Sequence, residues 1–369
     1  MEKESVLTPW EVKGNVDYDK IVKEFGTNLI NKEILSKLGK VHSLIRRGFY
    51  FSHRDFDLWL QAQKKGERVS VITGRGPSEK MHVGHLVPFL IAKNFQDIFN
   101  CEVFIAISDD EKFYVKEKLS FDDSLRFSKE NIIDILALGF NLKKTFVMQD
   151  FVYTDMYKYG AQIAKKINYS TARAIFGLKN ESNIGWSFYP AMQAAHILFP
   201  QFKWGAHLSL VPIGIDQDPF IRLTRDIAEN KSFNFRKPCA IHSKFIPSLY
   251  GDSKMSASEE GVIFLDDSSK EVERKIKKYA FSGGKNSLEE HRKFGGSPEV
   301  DVSFQYLKAF FEEDDKKLSK IESDYKSGKM LTLELKEITI KKINEFLEKH
   351  RKNKEKIKKE IDKCILRNE

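Results

Sequence analysis

The stretch Val69-Ser70-Val71-Ile72-Thr73-Gly74-Arg75-Gly76-Pro77-Ser78, followed closely by Met81-His82-Val83-Gly84-His85, decides the fold of this chain. Residues 69–73 are mostly β-branched and predict a buried strand, which residues 74–78 break. Residues 82–99 then predict a mostly apolar helix, and residues 102–107 a second strand. Because strand, helix and strand follow one another in this order, we expect a parallel sheet with right-handed crossovers.

The later elements extend the same pattern. Ser120 and Asp123 predict a capping box that opens a helix ending near Gly139. Residues 145–148 and 210–215 predict further strands. Ligands of such sheets bind beyond the carboxyl ends of the strands, so the loops after these strands are expected to meet at one crevice. The loops concerned are those at Gly74, at residues 108–111 and at residues 214–217.

Beyond the sheet the texture changes to charged helical segments, and we place a domain boundary near residue 262. The predicted helices cover residues 268–280, 301–313, 314–326 and 332 onward, with Thr332 as an N-cap. The expected division is an N-terminal appendage over 1–50, a catalytic α/β domain over 51–261, a helical domain over 262–352, and a basic C-terminal helix over 353–369 that lies near the α/β domain or packs back on it.

Composition limits the classes of protein that this chain can be. Its 369 residues are enough for a large core, and its three cysteines have no spacing typical of a zinc site or a disulfide framework. The first residues form no apolar run, and nowhere do 18 uncharged apolar residues follow one another. We therefore expect a soluble protein of the cytoplasm that does not contact a membrane.

Positive charge is concentrated at the C-terminus. The formal net charge is +9, and residues 341–369 hold 11 Lys/Arg against 6 Asp/Glu, which leaves 11 − 6 = +5 there. Such an excess favours a polyanionic partner such as RNA. A mixed Lys/Glu run is also typical of a solvated helix face, so charge by itself leaves both interpretations open.

Two histidines at the glycine-rich turn predict a nucleotide site. A helix N-terminus offers free N–H groups to phosphate, and Gly84 lets the ligand approach without a Cβ in the way. His82 and His85 can each donate a hydrogen bond to the charge that develops on a phosphate during transfer. The alternative is a pair of surface or core histidines, which the preceding strand and turn make less favourable.

A second motif, Lys254-Met255-Ser256-Ala257-Ser258, lies in a polar loop. By itself it is typical of an ordinary surface turn. Together with residues 82–85, which we call the histidine turn, this motif predicts a lid whose Lys254 contacts the leaving pyrophosphate of an adenylate-forming reaction. Asp109 and Asp110 are open between a role in binding Mg²⁺ or an ammonium group and a role as helix caps. Glu111 and Lys112 provide one group of each sign for a zwitterionic substrate and ATP.

Many segments in order resemble one family. The chain is similar to class I aminoacyl-tRNA synthetases, and specifically to the eukaryotic-type tryptophanyl-tRNA synthetases. The resemblance rests on residues 73–78, 81–85, 109–112, 215–219, 254–258, 280–284, 291–296 and 300–304. It implies a Rossmann-type α/β nucleotide-binding sheet with a C-terminal α-helical anticodon-binding domain. It also implies a homodimer that activates L-tryptophan with ATP and Mg²⁺, and then charges tRNA, with the metal carried by ATP and no protein ligands dedicated to it.

The resemblance also assigns roles by position. His82, His85, Lys254 and Lys112 are implied to be catalytic. The implied ATP site comprises Thr73, Gly74, Gly76, His82, Gly84, His85, Gly214, Asp216, Lys254, Met255, Ser256 and Ser258. The implied tryptophan site comprises Ile72, Gly74, Ala106, Ser108, Glu111, Gln193 and Gln217.

The chain departs from the family's pattern at positions that bear on the substrate ring. The family commonly has Tyr where this chain has Ile72 and Gln where it has Ala106, and in the family those polar groups serve the indole N–H. An indole N–H left unpaired costs about 1 to 3 kcal/mol, so we expect another side chain, a backbone carbonyl or water to accept from it. The lid carries Ala257 where the wider class has a second Lys, so Lys112 is expected to share with Lys254 the binding of the ATP phosphates.

Other functions remain to be weighed against tryptophan activation. A tyrosine-activating relative would share the fold, although the motifs after residue 280 disfavour it. An H-x-G-H nucleotidyltransferase would share the first motif but rarely needs the second or a helical domain of this size. A non-catalytic RNA-binding descendant is disfavoured by the intact motif residues.

Overall fold

The computed structural model describes residues 6–7, 12–13, 17–251, 255 and 260–368. Within them a seven-stranded sheet has the order β3-β4-β9-β8-β5-β6-β7, and β1 pairs with β2 separately. The strands from β9 to β7 are parallel, whereas β3 and β4 run antiparallel at one side. The strands are β1 Val6–Leu7, β2 Val12–Lys13, β3 Asn28–Leu29, β4 Tyr50–Arg54, β5 Val69–Arg75, β6 Glu102–Ile107, β7 Thr145–Gln149, β8 Leu208–Gly214 and β9 Cys239–Ser243.

Helices cover the sheet and continue beyond it. They are α1 Tyr18–Phe25, α2 Lys32–Leu38, α3 Ser43–Arg46, α4 Phe56–Lys64, α5 Val87–Phe99, α6 Asp109–Val115, α7 Phe121–Leu136, α8 Met156–Ala164, α9 Tyr169–Phe176, α10 Ile184–Trp204, α11 Asp218–Ala228, α12 Ser269–Tyr279, α13 Leu288–Phe294, α14 Val302–Tyr306, α15 Asp315–Lys326 and α16 Thr332–Ile357. A π-helical turn, Leu307–Phe311, follows α14 directly. Shorter 3₁₀ turns occur at Val83–Leu86, Leu142–Lys144, Ile215–Gln217 and Ile361–Lys363.

The central strands are buried on both faces because their side chains alternate between two cores. Val71 and Val103 belong to one hydrophobic cluster, whereas Ile72, Phe104 and Ala106 belong to another. This is the two-residue period of a strand, and near-continuous apolar runs are typical of parallel strands covered on both sides. The predicted α/β sheet is therefore confirmed.

Two details of the glycine-rich turn differ from the prediction. The strand does not break at Gly74, because Gly74 and Arg75 continue the parallel pairing with Ala106 and Ile107. The α-helix does not begin at His82, because residues 83–86 form a 3₁₀ turn before α5 begins at Val87. Pro88 in the first turn of α5 favours this late start, since it has no N–H to satisfy.

The two N-caps predicted from the sequence have different outcomes. Ser120 Oγ accepts from the backbone N–H of Asp123 at 3.1 Å, which confirms the predicted N-cap of α7. The N-cap of α16 is Leu331 rather than Thr332. The carboxylate of Glu334 accepts from the Leu331 N–H at 2.6 Å, which satisfies one of the free N–H groups at that helix end.

The C-terminal residues return to the edge of the sheet. Val147 of β7 donates its N–H to the Cys364 carbonyl at 2.8 Å, and Leu366 donates to the Val147 carbonyl at 2.9 Å. An edge strand otherwise presents unpaired backbone groups, which this segment partly satisfies.

Residue 352, at which we expect the helical domain to end, lies inside α16. Across the described residues, every helix is too short or too polar to cross a bilayer.

Candidate active site

A cleft of about 650 Å³ opens beyond the carboxyl ends of β5, β6 and β8. Parallel strands place the loops that follow them at one edge of the sheet, which is why segments far apart in sequence meet here. The predicted site residues that line it are Ile72, Thr73, Gly74, Gly76, His82, Gly84, His85, Ala106, Ser108, Glu111, Lys112, Gln193, Gly214, Asp216, Gln217 and Met255. Lys254, Ser256 and Ser258 lie outside the described residues.

The histidine turn brings two imidazoles face to face. The ring centroids of His82 and His85 lie 3.5 Å apart, and the His82 backbone N–H donates to His85 Nδ1 at 3.1 Å. That bond makes Nδ1 of His85 an acceptor, so the proton of the neutral ring sits on Nε2. The turn thereby fixes which nitrogen of His85 can donate to a ligand.

His82 is buried and is positioned to meet a ligand rather than the protein. Burial, with a further contribution from the Arg75 guanidinium, lowers the pKa of His82 to about 3, so its ring is neutral at pH 7. Neither ring nitrogen of His82 has a hydrogen-bond partner within the described part of the chain. A buried polar group without a partner is costly, and a bound substrate would satisfy it.

Two glycines of the cleft leave little room for a side chain. A Cβ on Gly84 would lie 2.7 Å from Met255 Sδ, and a Cβ on Gly74 would lie 2.7 Å from the Ala106 carbonyl oxygen. Both distances are shorter than real Cβ contacts. The contact with Gly84 also shows that Met255, the residue after Lys254 in sequence, packs against the histidine turn.

A pair of opposite charges begins α6. Lys112 Nζ lies 2.5 Å from Glu111 Oε1, and the Tyr189 hydroxyl donates to Glu111 Oε2 at 3.3 Å. Burial raises the pKa of Tyr189 well above its usual range, so the hydroxyl keeps its proton and acts as a donor. Lys112 and Tyr189 therefore hold the Glu111 side chain from two sides, which suits it to receive an ammonium group.

Asp109 and Asp110 do not line the cleft. Both side chains are fully buried, and Asp109 accepts from Gln149 Nε2 at 2.8 Å and from the Phe151 N–H at 3.1 Å. Neither acts as the N-cap of α6, which is Ser108. The helix-cap alternative is therefore wrong for these residues, and neither carboxylate lines the cleft, because tertiary contacts rather than helix position decide where the carboxylates lie.

Sequence reasoning missed several residues of the cleft, notably Arg75, Tyr189 and His196. Tyr189 and His196 lie four residues before and three residues after Gln193 on α10. Residues at these spacings share one face of a helix, so the helical period was the signal that could have found them.

The chain resembles proteins of known function over nearly its whole length. A family described as class I tRNA synthetases (W and Y) matches residues 64–348. The tryptophan–tRNA ligase of Sulfurisphaera tokodaii is 49% identical and aligns with 98% of this chain and 95% of its own length. The solved tryptophanyl-tRNA synthetase of Plasmodium falciparum superposes with a TM-score of 0.87 at 38% identity, covering 95% of this chain and 97% of that one. That of Aeropyrum pernix gives 0.87 at 32% identity over the same shares.

Proposed function

This chain belongs to the class I tRNA synthetases of the tryptophan and tyrosine group, and from that premise we propose how its cleft performs the reaction of a tryptophan–tRNA ligase. Such an enzyme joins L-tryptophan to the α-phosphate of ATP with release of pyrophosphate, and then transfers the amino acid to the 3′ end of tRNA. The observation that carries the proposal is the convergence of the histidine turn, the Glu111–Lys112 pair and Gln193 on one cleft.

The first step needs alignment more than acid–base chemistry. A carboxylate oxygen of tryptophan attacks the α-phosphorus, and the bond from that phosphorus to the bridging oxygen breaks as pyrophosphate leaves. His82 and His85 act as neutral hydrogen-bond donors to the α-phosphate, while Lys112 and Lys254 supply the positive charge. Holding the two reactants in line contributes on the order of 7 to 11 kcal/mol to lowering the barrier, and no covalent enzyme intermediate is required.

Glu111 and Gln193 hold the ammonium group of tryptophan, and Gln217 lies near its head group. Gly214 and Asp216 face adenosine, together with Thr73, Gly74, Gly76 and Gly84. Met255, Ser256 and Ser258 complete the ATP side, while Ile72, Ala106 and Ser108 border the amino acid.

Magnesium fits this site as a companion of ATP. Glu111 is engaged by Lys112 and Tyr189, and Asp216 accepts from Gln217 Nε2 at 3.0 Å. These contacts favour a metal held mainly by the phosphates, as is usual for Mg²⁺, over a set of protein carboxylates around it. When bound, the ion would neutralise phosphate charge as pyrophosphate departs.

The proposed organisation is the one expected from the sequence: an N-terminal appendage over 1–50, a catalytic domain over 51–261, an anticodon-binding domain over 262–352 and a basic segment over 353–369. We also propose a cytoplasmic homodimer. Ile184, which begins α10 and is 88% exposed, serves as the probe of this interface, since one exposed aliphatic side chain does not by itself indicate an interface. Light scattering of the wild type and of Ile184→Lys tests this, and a wild type of monomer mass contradicts it.

Amino-acid-dependent ATP–pyrophosphate exchange tests the function. Exchange is expected with tryptophan and not with tyrosine or the other standard amino acids. His85→Ala is expected to lower the exchange rate by about 10²- to 10³-fold, as removal of one transition-state donor does, while the melting temperature changes little. Equal rates for the variant and the wild type, or a preference for tyrosine, contradict the proposal.

A further inference from the structure

One end of the cleft is formed by the middle strands of the sheet, and apolar side chains line it. Ile72 on β5 and Ala106 on β6 are 2% and 3% exposed, and both line the cleft. Ile197, Val211 and Phe220 add further apolar wall. An aromatic side chain gains free energy from burial here, yet a ring that carries an N–H also needs an acceptor. The two strand residues, Ile72 and Ala106, have no side-chain acceptor.

Polar side chains near this wall are mostly engaged elsewhere. The Thr73 hydroxyl donates to the Pro212 carbonyl at 3.4 Å. Ser108 bonds to the hydroxyl of Tyr189, which itself donates to Glu111. The protons of these hydroxyls are therefore engaged within the protein, although their oxygens keep lone pairs.

His196 is different because one of its nitrogens remains unused. It lies three residues after Gln193 on α10, and therefore shares the helix face that reaches the cleft. Its Nε2 is 2.7 Å from Asp150 Oδ1, in a contact that is buried on both sides. Among residues 17–251, 255 and 260–368 the ring's hydrogen bond is the one at Nε2, and Nδ1 makes none, while the residue lines the cleft.

Asp150 sets which nitrogen of His196 carries the proton. Burial lowers the pKa of His196, so the ring is neutral at pH 7 and carries one N–H. The hydrogen bond between Asp110 and Asp150 raises the pKa of Asp110 and opposes the effect of burial on the pKa of Asp150, so Asp110 holds their proton. The carboxylate of Asp150 then accepts the N–H from Nε2, which leaves a lone pair on Nδ1. Asp150 is itself supported by Asp110, because the two carboxyls share a hydrogen bond that requires a single proton between them.

We propose that Nδ1 of His196 accepts the hydrogen bond from the indole N–H of tryptophan, with Asp150 as the positioning residue that holds the imidazole in the required tautomer. This inference rests on the proposed function and deepens it by naming the group that recognises the substrate ring. A substrate of the same shape without an N–H then leaves Nδ1 unpaired and is rejected.

Pyrophosphate exchange with two substrates tests the inference. L-tryptophan is compared with L-3-(benzothiophen-3-yl)alanine, in which sulfur replaces the indole N–H at nearly constant shape. The wild type is expected to prefer tryptophan by roughly 10- to 100-fold in kcat/KM, which is the range for one unpaired buried group. His196→Leu is expected to lower kcat/KM for tryptophan by about the same factor and to leave the analogue within about twofold, so that the ratio falls towards one.

Two further variants separate recognition from structure. His196→Asn places an amide oxygen close to the position of Nδ1, and it is expected to restore part of the preference. Asp150→Ala frees the ring, and it is expected to lower the tryptophan-to-analogue ratio by less than His196→Leu does. If Asp150→Ala leaves the ratio unchanged, the assigned positioning role is overturned.

His350 provides a matched control. It is equally buried and its Nε2 lies 3.0 Å from Asp134 Oδ1, but it belongs to α16 and does not line the cleft. His350→Leu is expected to lower stability without changing the substrate ratio. A wild type that shows no tryptophan-dependent exchange overturns the proposed function and the inference with it. Normal tryptophan exchange, with a ratio in both His196→Leu and His196→Asn that equals that of the wild type, overturns the inference alone.

Discussion

Two buried clusters of charged groups lie under the cleft, and they neutralise their carboxylates in opposite ways. The acidic cluster consists of Asp109, Asp110 and Asp150 with His196. The ion-pair cluster consists of Arg54, Asp218 and His242. In the acidic cluster, carboxyl groups lie next to one another and to a neutral imidazole. In the ion-pair cluster, a carboxylate accepts hydrogen bonds from a guanidinium.

The pKa values of the aspartates move apart accordingly. Burial raises the pKa of Asp109 to about 6, and it raises the pKa of Asp110 and of Asp150 well above the usual range. Burial would also raise the pKa of Asp218, but hydrogen bonds from Arg54 offset it and the value falls to about 2. Groups with raised pKa values are typical of sites that handle ligands, whereas a paired carboxylate is typical of a structural clamp.

The Arg54–Asp218 ion pair, here called the clamp, joins three segments of the chain. Arg54 makes two parallel bonds to Asp218, from Nε at 2.6 Å and from Nη2 at 2.7 Å. The same guanidinium donates to the carbonyls of Phe25 and Gly26 at the end of α1. One side chain therefore ties the N-terminal segment, strand β4 and the start of α11 together.

The largest expected effect comes from breaking this clamp. Arg54→Met leaves Asp218 charged and fully buried without its main partner, so the free energy of unfolding is expected to fall by about 3 to 5 kcal/mol. Urea denaturation measures it. Arg222→Met is the matched control, because Arg222 also contacts Asp218, at 3.4 Å, but is about half exposed. It is expected to cost less than about 1 kcal/mol. Equal losses in the two variants would show that burial does not decide the strength of the pairing.

Acid should remove the same stabilisation without a mutation. The folded pKa of Asp218 is about 2 and the unfolded value about 3.9, so its contribution is complete above pH 4 and is lost as the pH falls to 2. The loss is expected to be about 2 to 3 kcal/mol in the wild type and absent from Asp218→Asn, measured as unfolding free energy against pH.

Asp315 is the control for this pH effect. Hydrogen bonds from Arg46 lower its pKa to about 2 as well, but its side chain is 57% exposed. Solvent screening should reduce its contribution below about 1 kcal/mol. A curve for Asp315→Asn that loses as much acid dependence as the curve for Asp218→Asn would contradict this difference.

The sequence predicted the parts of this architecture that are encoded locally. Residues 69–73 and 102–107 form strands because alternating or continuous β-branched residues fit a buried sheet. The histidine turn, the Glu111–Lys112 pair and residues 214–217 were predictable as parts of the cleft because each comes after the end of a strand. The cap at Ser120 needed only its neighbours to form.

What the sequence did not predict depends on partners far along the chain. Arg54 finds Asp218 across 164 residues, and Asp150 finds His196 across 46. Nothing in the residues next to Asp109 distinguishes a buried carboxylate from a helix cap, because the groups that satisfy it come from β7 and α7. Pairings of this kind follow from the tertiary fold and have no local signal.

The smallest expected effect is a change in the free energy of unfolding that has opposite signs in the two clusters. Asp110 Oδ1 and Asp150 Oδ2 have no hydrogen-bond partner within the described residues, and the hydrogen bond that the Asp110 side chain shares with Asp150 needs one proton. Because the folded pKa of Asp110 is raised above its unfolded value, its stabilising effect is present below about pH 4 and is lost as the pH rises. Asp110→Asn replaces that proton with a permanent N–H donor.

We therefore expect Asp110→Asn to raise the free energy of unfolding at pH 8 by about 1 kcal/mol, with a smaller gain as the pH falls towards 4. The same substitution at Asp218 should lower stability at pH 8, since it removes the charge that Arg54 requires. Parallel urea titrations at several pH values compare the two. If both variants lose stability at pH 8, the acidic cluster depends on the negative charge of its carboxylates, as the ion-pair cluster does. In that case a shared proton is not what joins Asp110 to Asp150.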